Sequence, residues 1–299
     1  MPAFESWPAI DRATAHDAKA RRPFRVLEGG QLVPVGSVDR RHLPVLSRWP
    51  SMLAASEHGA DLLLPDQDSR SRALAEIHSS LREDGLLPGW RDEPYPIVDG
   101  RLEVLAVIER AASRFWGTLT FGAHCNGFVR EEGERPTHLW IARRSADKAT
   151  DPGRLDNLVG GGVRQGQSMR QTIVREGWEE AGLKRAFASR AVEGRVVSLD
   201  RDIPEGRQNE WIQVYDLEMP ASFVPSNQDG EVMGFARLTI AEALECAAGD
   251  EMTVDASLVT LDFALRRFLF DAPTQACLDA AAAALWRERP GPRAGIRWR

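Results

Sequence analysis

The sequence predicts an α/β fold, a sandwich with a mixed sheet between layers of helices, behind a smaller N-terminal α+β domain. In the second half, segments of strand character alternate with segments of helical periodicity, an order typical of helices packed on both faces of a sheet. The first half has one strong helical pattern among strand and turn segments. We therefore predict three parts, at residues 1–117, 118–270 and 271–299.

One strand and two helices are expected in the N-terminal part. The segment GQLVPVGSVDRRHL has the composition of a strand that ends in a turn. The segment SRSRALAEIHSSLREDG is the clearest helix, because Leu74, Ile77 and Leu81 recur at helical spacing and Gly85 ends the run. A second helix is predicted over LEVLAVIERAASRFWG, where four apolar residues share one face: Leu105, Ile108, Ala112 and Phe115.

The second half alternates strands, a loop and helices. Composition predicts strands in THLWIARRS, EGRVVSLD, EWIQVYDLEM and EVMGFARLT. After the first of these, DPGRLDNLVGGGVRQGQ predicts a loop, and SMRQTIVREGWEEAG predicts a helix whose N-cap is Ser168. Two more helices follow, DASLVTLDFALRRFLF and TQACLDAAAAALWRER, and the first of them repeats apolar residues at helical spacing: Leu258, Leu261, Leu265 and Phe268.

Composition argues against several classes of function. The net charge of −6 disfavours a nucleic-acid polymer as the partner. The three cysteines, Cys125, Cys246 and Cys277, form neither a CxxC metal pattern nor a disulfide framework, which favours a reducing compartment. No segment has the apolar length of a signal-peptide core or of a membrane span. We therefore expect a cytoplasmic protein with no membrane partner.

Three glutamates in REGWEEAGL raise the question of a metal site. On a helix, Glu176, Glu179 and Glu180 share one face, with the second and third about 60° and 40° to either side of the first. Val174 and Trp178 fall on another side, so we expect both to pack against the sheet. Three like charges this close repel one another unless they are solvated or bind a cation. The pattern alone leaves a solvated acidic face and a metal site both open.

A glycine-rich segment at fixed spacing favours the metal site. Residues 161–183 are GGVRQGQSMRQTIVREGWEEAGL, and this stretch resembles the Nudix box, G-x5-E-x7-R-E-U-x-E-E-x-G-U, in which U is a bulky aliphatic residue. The matching positions are Gly161, Arg175, Glu176, Glu179, Glu180, Gly182 and Leu183. The resemblance implies a Nudix-type α/β/α sandwich over 118–270, with an accessory domain before it and a helical extension after it.

Two positions depart from the Nudix pattern. Gln167 stands where the family has its first glutamate, which supports the helix and its arginine more than it binds the metal. Gly177 replaces the first aliphatic residue, which lowers helix propensity by about 1 kcal/mol, and Trp178 is the candidate to fill the space. Gln167 motivates an alternative hypothesis, a ligand sensor that keeps the Nudix fold without catalysis.

The resemblance also implies roles for the box residues. Glu176, Glu179 and Glu180 would bind Mg²⁺ or Mn²⁺, and Glu179 would be either a third ligand or the base that deprotonates the attacking water. Arg175 lies four residues before Glu179 and would orient it through a charged pair. Nudix enzymes often recruit a further acid from a later loop. In this chain NQDGEVMGF offers Glu231, for which the alternative is a turn residue before a strand.

The remaining candidates for binding a diphosphate lie before the helix: Arg143, Arg144, Lys148, Asn157, Gly161 and Gly162. The backbone N–H groups of the two glycines would approach phosphate oxygens. The three cations leave a strand just before that loop and would pair with phosphate, unless they are an ordinary basic strand end. Asn157, with the neighbouring Asp156, either binds substrate or caps a turn.

Four other residues have mainly structural interpretations. Trp90 and Tyr95 would stack on a heterocycle, but aromatic residues near a proline-rich turn more often pack between domains. His124 and Cys125 suggest acid/base or nucleophilic chemistry, as in the Nudix-like isopentenyl diphosphate isomerases, and no second cysteine motif supports that hypothesis.

Segments outside the box resemble one Nudix subgroup. FGAHCNGFVR, VPSNQDGEVMGF and GWRDEPYPI are similar to the subgroup related to thiamine pyrophosphokinase, which has a distinct N-terminal domain. That resemblance implies hydrolysis of a thiamine-diphosphate analogue, such as an oxidised form, to the monophosphate. An ADP-ribose or nucleoside-diphosphate-sugar hydrolase is the alternative enzyme. The expected partner is a small-molecule diphosphate substrate, and a homodimer is allowed.

Overall fold

The N-terminal half forms a four-stranded sheet and a separate hairpin. The computed structural model describes residues 4–131, 133–290 and 296. Its first elements are α1 (Pro8–Arg12), β1 (Arg21–Glu28), β2 (Gln31–Asp39), α2 (Leu43–Leu46), β3 (Leu53–Ser56), β4 (Gly59–Leu62), α3 (Gln67–Glu83), β5 (Pro94–Val98), β6 (Val104–Glu109) and α4 (Arg110–Trp116). The strand order of the sheet is β2-β1-β4-β3, and β5 pairs with β6.

The predicted helix around Ile77 is confirmed as α3. Asp66 caps it, because its carboxylate accepts a hydrogen bond from the backbone N–H of Ser69 at 2.9 Å. Leu74, Ile77 and Leu81 are fully buried in the core of the N-terminal half. The helical period therefore identified the face that packs on the strands.

The prediction of a second helix in this half is wrong for the first part of the predicted range, which is a strand. The run from Val104 to Glu109 is β6, and it pairs antiparallel with β5. Several of its residues are β-branched, and such side chains fit a pleated strand better than a helix. The chain is helical only over α4, which ends at Gly117, where φ is 54° and the missing Cβ removes the usual steric penalty.

The second half builds a larger mixed sheet. Its elements are β7 (Leu119–Val129), β8 (His138–Arg144), β9 (Leu155–Asp156), β10 (Val159–Gly162), α5 (Met169–Ala181), α6 (Arg185–Ala188), β11 (Val192–Ile203), β12 (Gly206–Glu218), β13 (Val232–Thr239), α7 (Ile240–Ala248), α8 (Val254–Arg266), α9 (Ala272–Ala282) and β14 (Trp286–Arg287). The order is β13-β8-β7-β12-β11-β14, with β10 on β7 and β9 on β8. The β7–β12 pair is parallel and the other pairs are antiparallel.

Helices cover both faces of this sheet. Ile173 of α5 lies in one buried cluster with Phe121 of β7, whereas Phe263 of α8 lies in another with Phe128 of the same strand. Alternate residues of a strand face opposite sides, so one strand supplies both cores. The predicted α/β/α sandwich with a mixed sheet is confirmed.

Two details of the second half differ from the prediction. The segment predicted to be a loop before α5 contains the short strands β9 and β10, because the glycines of β10 pair with β7. Phe268 is not part of the buried helical stripe, and 69% of its surface is exposed. The helix α8 ends at Arg266, so the periodicity that buries Leu258, Leu261 and Leu265 does not extend to residue 268.

The two ends of the described chain pack against the second half. Trp7 donates a hydrogen bond to the Ser257 hydroxyl of α8 at 2.9 Å, and β14 pairs with β11. Residues 291–295 and 297–299 of the predicted C-terminal extension, and residues 1–3 of the predicted N-terminal domain, lie outside the described residues. None of the helices that the structure describes has the length and apolarity of a membrane span.

A buried histidine predicts how stability depends on pH. His78 of α3 is buried and accepts a hydrogen bond from the Trp116 indole at 2.7 Å. Burial lowers the pKa of His78 to about 3. A histidine with a depressed folded-state pKa stabilises the fold above its unfolded pKa of about 6.5, and this contribution is lost as the pH falls from there towards the folded pKa.

We expect the wild-type chain to lose about 2 kcal/mol of unfolding free energy through His78 between pH 7 and pH 5. A His78→Gln variant keeps a hydrogen-bond acceptor but cannot titrate, so its loss should be smaller by that amount. Urea unfolding of both chains at the two pH values measures the difference. Equal losses in the two chains would contradict the assignment.

Candidate active site

The helix α5 carries the site and is fixed at both ends. The Ser168 hydroxyl accepts a hydrogen bond from the Gln171 N–H at 3.1 Å, and the Gln171 side chain accepts one from the Ser168 N–H at 2.9 Å. This capping box confirms the predicted N-cap. At the other end Gly182 has φ 67° and closes the helix.

The prediction that Trp178 packs against the sheet is wrong. Its side chain is 52% exposed, and Val174 is only partly buried. The buried stripe runs instead through Ile173, Gly177 and Ala181. A Cβ at Gly177 would lie 3.3 Å from a methyl group of Leu183, so the residues after the helix occupy the space that the missing side chain leaves.

Two of the three box glutamates contact Arg175. Its guanidinium contacts the carboxylate of Glu176 at 2.8 Å and that of Glu179 at 2.8 Å. The predicted pair at four-residue spacing is therefore present. Glu180 instead accepts a hydrogen bond from the Gly160 N–H at 2.8 Å.

The strand β10 packs directly against these carboxylates. A Cβ at Gly161 would overlap the Glu176 carboxylate, and a Cβ at Gly160 would lie 2.8 Å from the His124 ring. Only glycine lets the strand come this close. The backbone of the predicted phosphate loop and the predicted metal ligands thus form one surface.

Burial makes these carboxylates hard to ionise without a cation. Burial, together with the charge of Glu179, raises the pKa of Glu176 to about 7. Burial and the neighbouring Glu176 raise the pKa of Glu180 well above its usual range. Buried oxygen donors that repel one another fit Mg²⁺ or Mn²⁺, since a hard divalent cation would satisfy both. Within the described ranges, no three His, Cys, Asp or Glu side chains are already grouped as a ligand set.

Arg144 lines the cavity beside β10, and both Arg144 and Lys148 line a second cavity next to it. Arg144 contacts Asp156 at 2.8 Å, and it also donates to the backbone carbonyls of residues 150 and 151. Lys148 forms an ion pair with Glu231, which also contacts Arg91 at 3.0 Å. Burial would raise the pKa of Glu231, but the hydrogen bond from Lys148 and the nearby charges lower it. Glu231 is therefore an ionised group held between two cations.

The other two candidates from this region lie away from the cavities. Arg143 is exposed and donates to the Gly153 carbonyl at 2.8 Å, because successive residues of β8 face opposite sides of the sheet. Asn157 is buried, and its amide donates to Asn126 and Thr260 at 3.2 Å. These contacts favour the structural interpretation of both residues over substrate binding.

The N-terminal half contributes side chains that the sequence did not place in the site. A cavity beside Gly160, Gly161 and Gly162 is lined by three of them: Tyr95, Arg110 and Arg114. Tyr95 was expected to pack between domains, and its ring is buried in the N-terminal core. Arg110 and Arg114 share a face of α4 at four-residue spacing, but a pair of arginines on a short helix carries no signal of a site.

The far wall of the same cavity is acidic. Gln208 donates to Glu210 at 3.0 Å and to Asp255 at 3.0 Å, and Arg114 contacts Glu210 at 3.1 Å. Burial would raise the pKa of Glu210, but the charge of Arg114 and the hydrogen bond from Gln208 lower it. Burial and the charge of Glu210 raise the pKa of Asp255. No sequence pattern pointed to either acid, because they lie on β12 and α8, far from the box along the chain.

The structure gives Cys125 no reactive environment. Its side chain is fully buried, and burial raises the pKa of the thiol well above its usual range, so it is a poor nucleophile. His124 contacts the side chain of Asn157 at 3.0 Å and lies beneath Gly160. These contacts disfavour the isomerase hypothesis.

Gln167 lies just before the capping box. Its side-chain oxygen is buried and has no hydrogen-bond partner among the residues described, and the same holds for Nε of Arg175. Buried polar atoms without partners are costly, so neither the Gln167 carbonyl nor the Arg175 Nε–H is compensated by the residues around it.

Comparisons with known proteins identify the class. A family model described as NUDIX domain matches residues 121–258, and one described as Domain of unknown function (DUF4743) matches residues 4–120. Two Arabidopsis thaliana proteins are similar. Nudix hydrolase 20, chloroplastic, is 35% identical over 78% of this chain and 65% of its own length. Nudix hydrolase 24, chloroplastic, is 34% identical over 82% of this chain and 68% of its own length.

The chain belongs to the Nudix hydrolase family, which confirms the superfamily resemblance of the box. It spans about two thirds of the length of the curated relatives it matches. Among solved structures, DR0079 from Deinococcus radiodurans is 25% identical, with a TM-score of 0.43 over 57% of this chain and 99% of that one. Because the Arabidopsis relatives are chloroplastic by name, the predicted cytoplasmic location stays a prediction.

The contact between Gly162 and Tyr95 can be tested by substitution. A Cβ at position 162 would overlap the Tyr95 hydroxyl. We expect Gly162→Ala to destabilise the chain by about 1–3 kcal/mol, the usual cost of overpacking, and Tyr95→Phe to recover part of that loss in the double variant. Thermal unfolding of the four chains of this cycle measures the coupling. Purely additive effects would show that the two residues do not press on each other.

Proposed function

We propose that the chain hydrolyses the diphosphate linkage of a small organic diphosphate, with Mg²⁺ or Mn²⁺ as its cofactor. The observation that carries the proposal is the packing of Glu176 and Glu180 against β10, with Glu179 paired to the same Arg175 that contacts Glu176, beside a cavity lined by arginines. Carboxylates that bind a divalent cation, next to guanidinium groups that bind phosphate oxygens, are the groups that such hydrolysis requires.

The bound cation would neutralise phosphate oxygens and lower the pKa of a water ligand. Glu176 and Glu180 would hold that cation, and Glu179 would be a further ligand or accept the proton of the attacking water. Arg175 keeps Glu179 in place through their ion pair. Water adds to one phosphorus, the bridging P–O bond breaks, and the products are the organic monophosphate and inorganic phosphate. Gly161 and Gly162 let Glu176 and Tyr95 approach the backbone of β10, so that both would lie close to a substrate in the cavity.

The substrate that we propose is a thiamine-diphosphate analogue, such as an oxidised form. The resemblance of the segments around the box to the thiamine pyrophosphokinase-related subgroup supports this choice. The acidic wall of the cavity supports it as well, because Glu210 and Asp255 would accept hydrogen bonds from an amino-substituted or cationic ring. An ADP-ribose or nucleoside-diphosphate-sugar substrate is the alternative that the substrate panel below distinguishes.

The remaining roles follow from the contacts. Arg144 and Lys148 are proposed to bind the diphosphate, since Arg144 lines the cavity at β10 and both residues line the cavity next to it. Glu231 remains our candidate for the recruited acid, and its ion pairs add a second role, which is to position Lys148. We also propose the division into an accessory domain at 1–117, a Nudix domain at 118–270 and a C-terminal extension at 271–299.

We expect the purified chain with Mg²⁺ to release phosphate from oxythiamine diphosphate or oxothiamine diphosphate. Glu180→Gln should lower kcat/KM by at least about 100-fold, because a buried metal ligand loses its charge. Glu245→Gln on the exposed face of α7 is the matched control and should leave the rate unchanged. Phosphate release is the measurement.

Assaying ADP-ribose beside the thiamine analogues gives further outcomes, and these lead to other assignments. Turnover of ADP-ribose without turnover of thiamine analogues would move the chain to the nucleotide branch. Binding of these compounds without turnover, with Mg²⁺ and with Mn²⁺, would favour the ligand sensor that Gln167 suggests.

The two roles of Glu231 differ in their kinetic consequences. If Glu231 positions Lys148 and Arg91, Glu231→Gln should raise KM about tenfold with little change in kcat, since losing the equivalent of one charge-assisted contact to substrate costs about 1.4 kcal/mol of binding. If Glu231 acts on the attacking water, kcat should fall instead. Steady-state kinetics of the variant on the best substrate separate the two roles.

A further inference from the structure

Two adjoining cavities lie between the two halves of the chain, and one of them is at β10. One lies beside Gly160, Gly161 and Gly162, and the other is lined by Arg91 and Lys148. Four residues line both cavities: Arg110, Arg114, Arg144 and Thr150. The shared border therefore carries three guanidinium groups, and two of them come from α4 of the N-terminal half.

Tyr95 of β5 presents a polar group to the first cavity. Only 3% of its surface is exposed, yet within the described part of the chain its hydroxyl makes no hydrogen bond. The hydroxyl lies against Gly162, at the position that a side chain there would occupy. The Tyr95 oxygen is not among the buried polar atoms that lack a partner, so it is open to the cavity that Tyr95 lines, and a ligand there would accept its hydrogen bond.

Arg110 stands next to Tyr95 on the same side of the cavity. Its guanidinium lies 6.0 Å from the centre of the Tyr95 ring and contacts Glu93 at 3.1 Å. It also lies within electrostatic range of Glu176 and Glu231. Its side chain remains 44% exposed, so donor groups are still free to bind an anion.

We propose that the cavity between the two halves is a diphosphate-binding site in which Arg110 and Tyr95 of the N-terminal half bind phosphate oxygens opposite the Nudix carboxylates. The accessory domain then supplies part of the active site and sets the length of substrate that reaches Glu176. This inference rests on the proposed function for its ligand class. Arg110 offers a planar pair of donors that suits phosphate, and the Tyr95 hydroxyl adds a neutral donor.

Calorimetric titration of the full chain with inorganic pyrophosphate in EDTA tests the site without metal or turnover. We expect saturable binding by the wild type, a loss of about tenfold or more for Arg110→Ala, and a smaller loss for Tyr95→Phe. Arg110→Lys should recover part of the affinity, because it keeps the charge without the planar fork. Arg143→Ala, on the opposite side of the sheet, is the control and should bind as the wild type does.

A purely structural role of Arg110 is tested by Glu93→Gln, which removes the partner of Arg110 but keeps the guanidinium. If the ion pair only supports the fold, Glu93→Gln and Arg110→Ala should lose binding equally. If Arg110 binds the ligand, Glu93→Gln should keep wild-type affinity or exceed it. Equal losses in the two variants would overturn the proposal. So would wild-type affinity in Arg110→Ala, or no saturable binding by the wild type.

Failure of this site and failure of the proposed function are distinguishable. Pyrophosphate binding that depends on Arg110, with no hydrolysis of any organic diphosphate, would retain the site and reject the enzyme. Hydrolysis in Mg²⁺ with unchanged pyrophosphate affinity in Arg110→Ala would retain the enzyme and reject the site.

Discussion

The close approach of β10 to three side chains is the constraint on which the site depends. Gly160 lies over the His124 ring, Gly161 lies against Glu176, and Gly162 lies against the Tyr95 hydroxyl. These contacts come from the sheet, from α5 and from the N-terminal half in turn. A Cβ at any of the three positions would push one of these groups away. The three glycines therefore allow the sheet, α5 and the N-terminal half to pack against the same strand.

Alternating charge holds the groups around that strand. Arg175 lies between Glu176 and Glu179, and Glu231 lies between Lys148 and Arg91. Each ionised group thus has an opposite partner, which limits the cost of burying it. Glu180 differs from these groups, because the hydrogen bond that it accepts comes from the backbone N–H of Gly160. A divalent cation would therefore compensate Glu180 more than it would Glu176 or Glu179.

The box residues were predictable from the sequence because they lie on one helix. Spacing alone placed Glu176, Glu179 and Glu180 on a shared face and Arg175 within reach of Glu179, and the structure shows these contacts. The fold class was also predictable, since strands and helices alternate along the second half. Local periodicity was less reliable where two patterns competed. The apolar residues of β6 happen to recur at helical spacing, yet the segment is a strand that pairs with β5. On α5, Trp178 lies one residue beyond the buried stripe and is exposed.

The other side of the site could not be predicted because no local pattern encodes it. Arg110 belongs to a short helix whose sequence carries no signal of a site, and for Tyr95 on the hairpin strand the sequence favoured packing between domains over stacking on a heterocycle. They reach the glycine strand through tertiary contacts: Arg164, which follows β10, contacts Glu93 at 2.8 Å, and Glu93 contacts Arg110. These two ion pairs connect Arg164, just after the glycines of β10, to Arg110 through Glu93. A change in the docking of the N-terminal half would move Arg110 relative to Glu176 without altering the box, so under the proposed role of Arg110 the selectivity for substrate would depend on the interface between the halves.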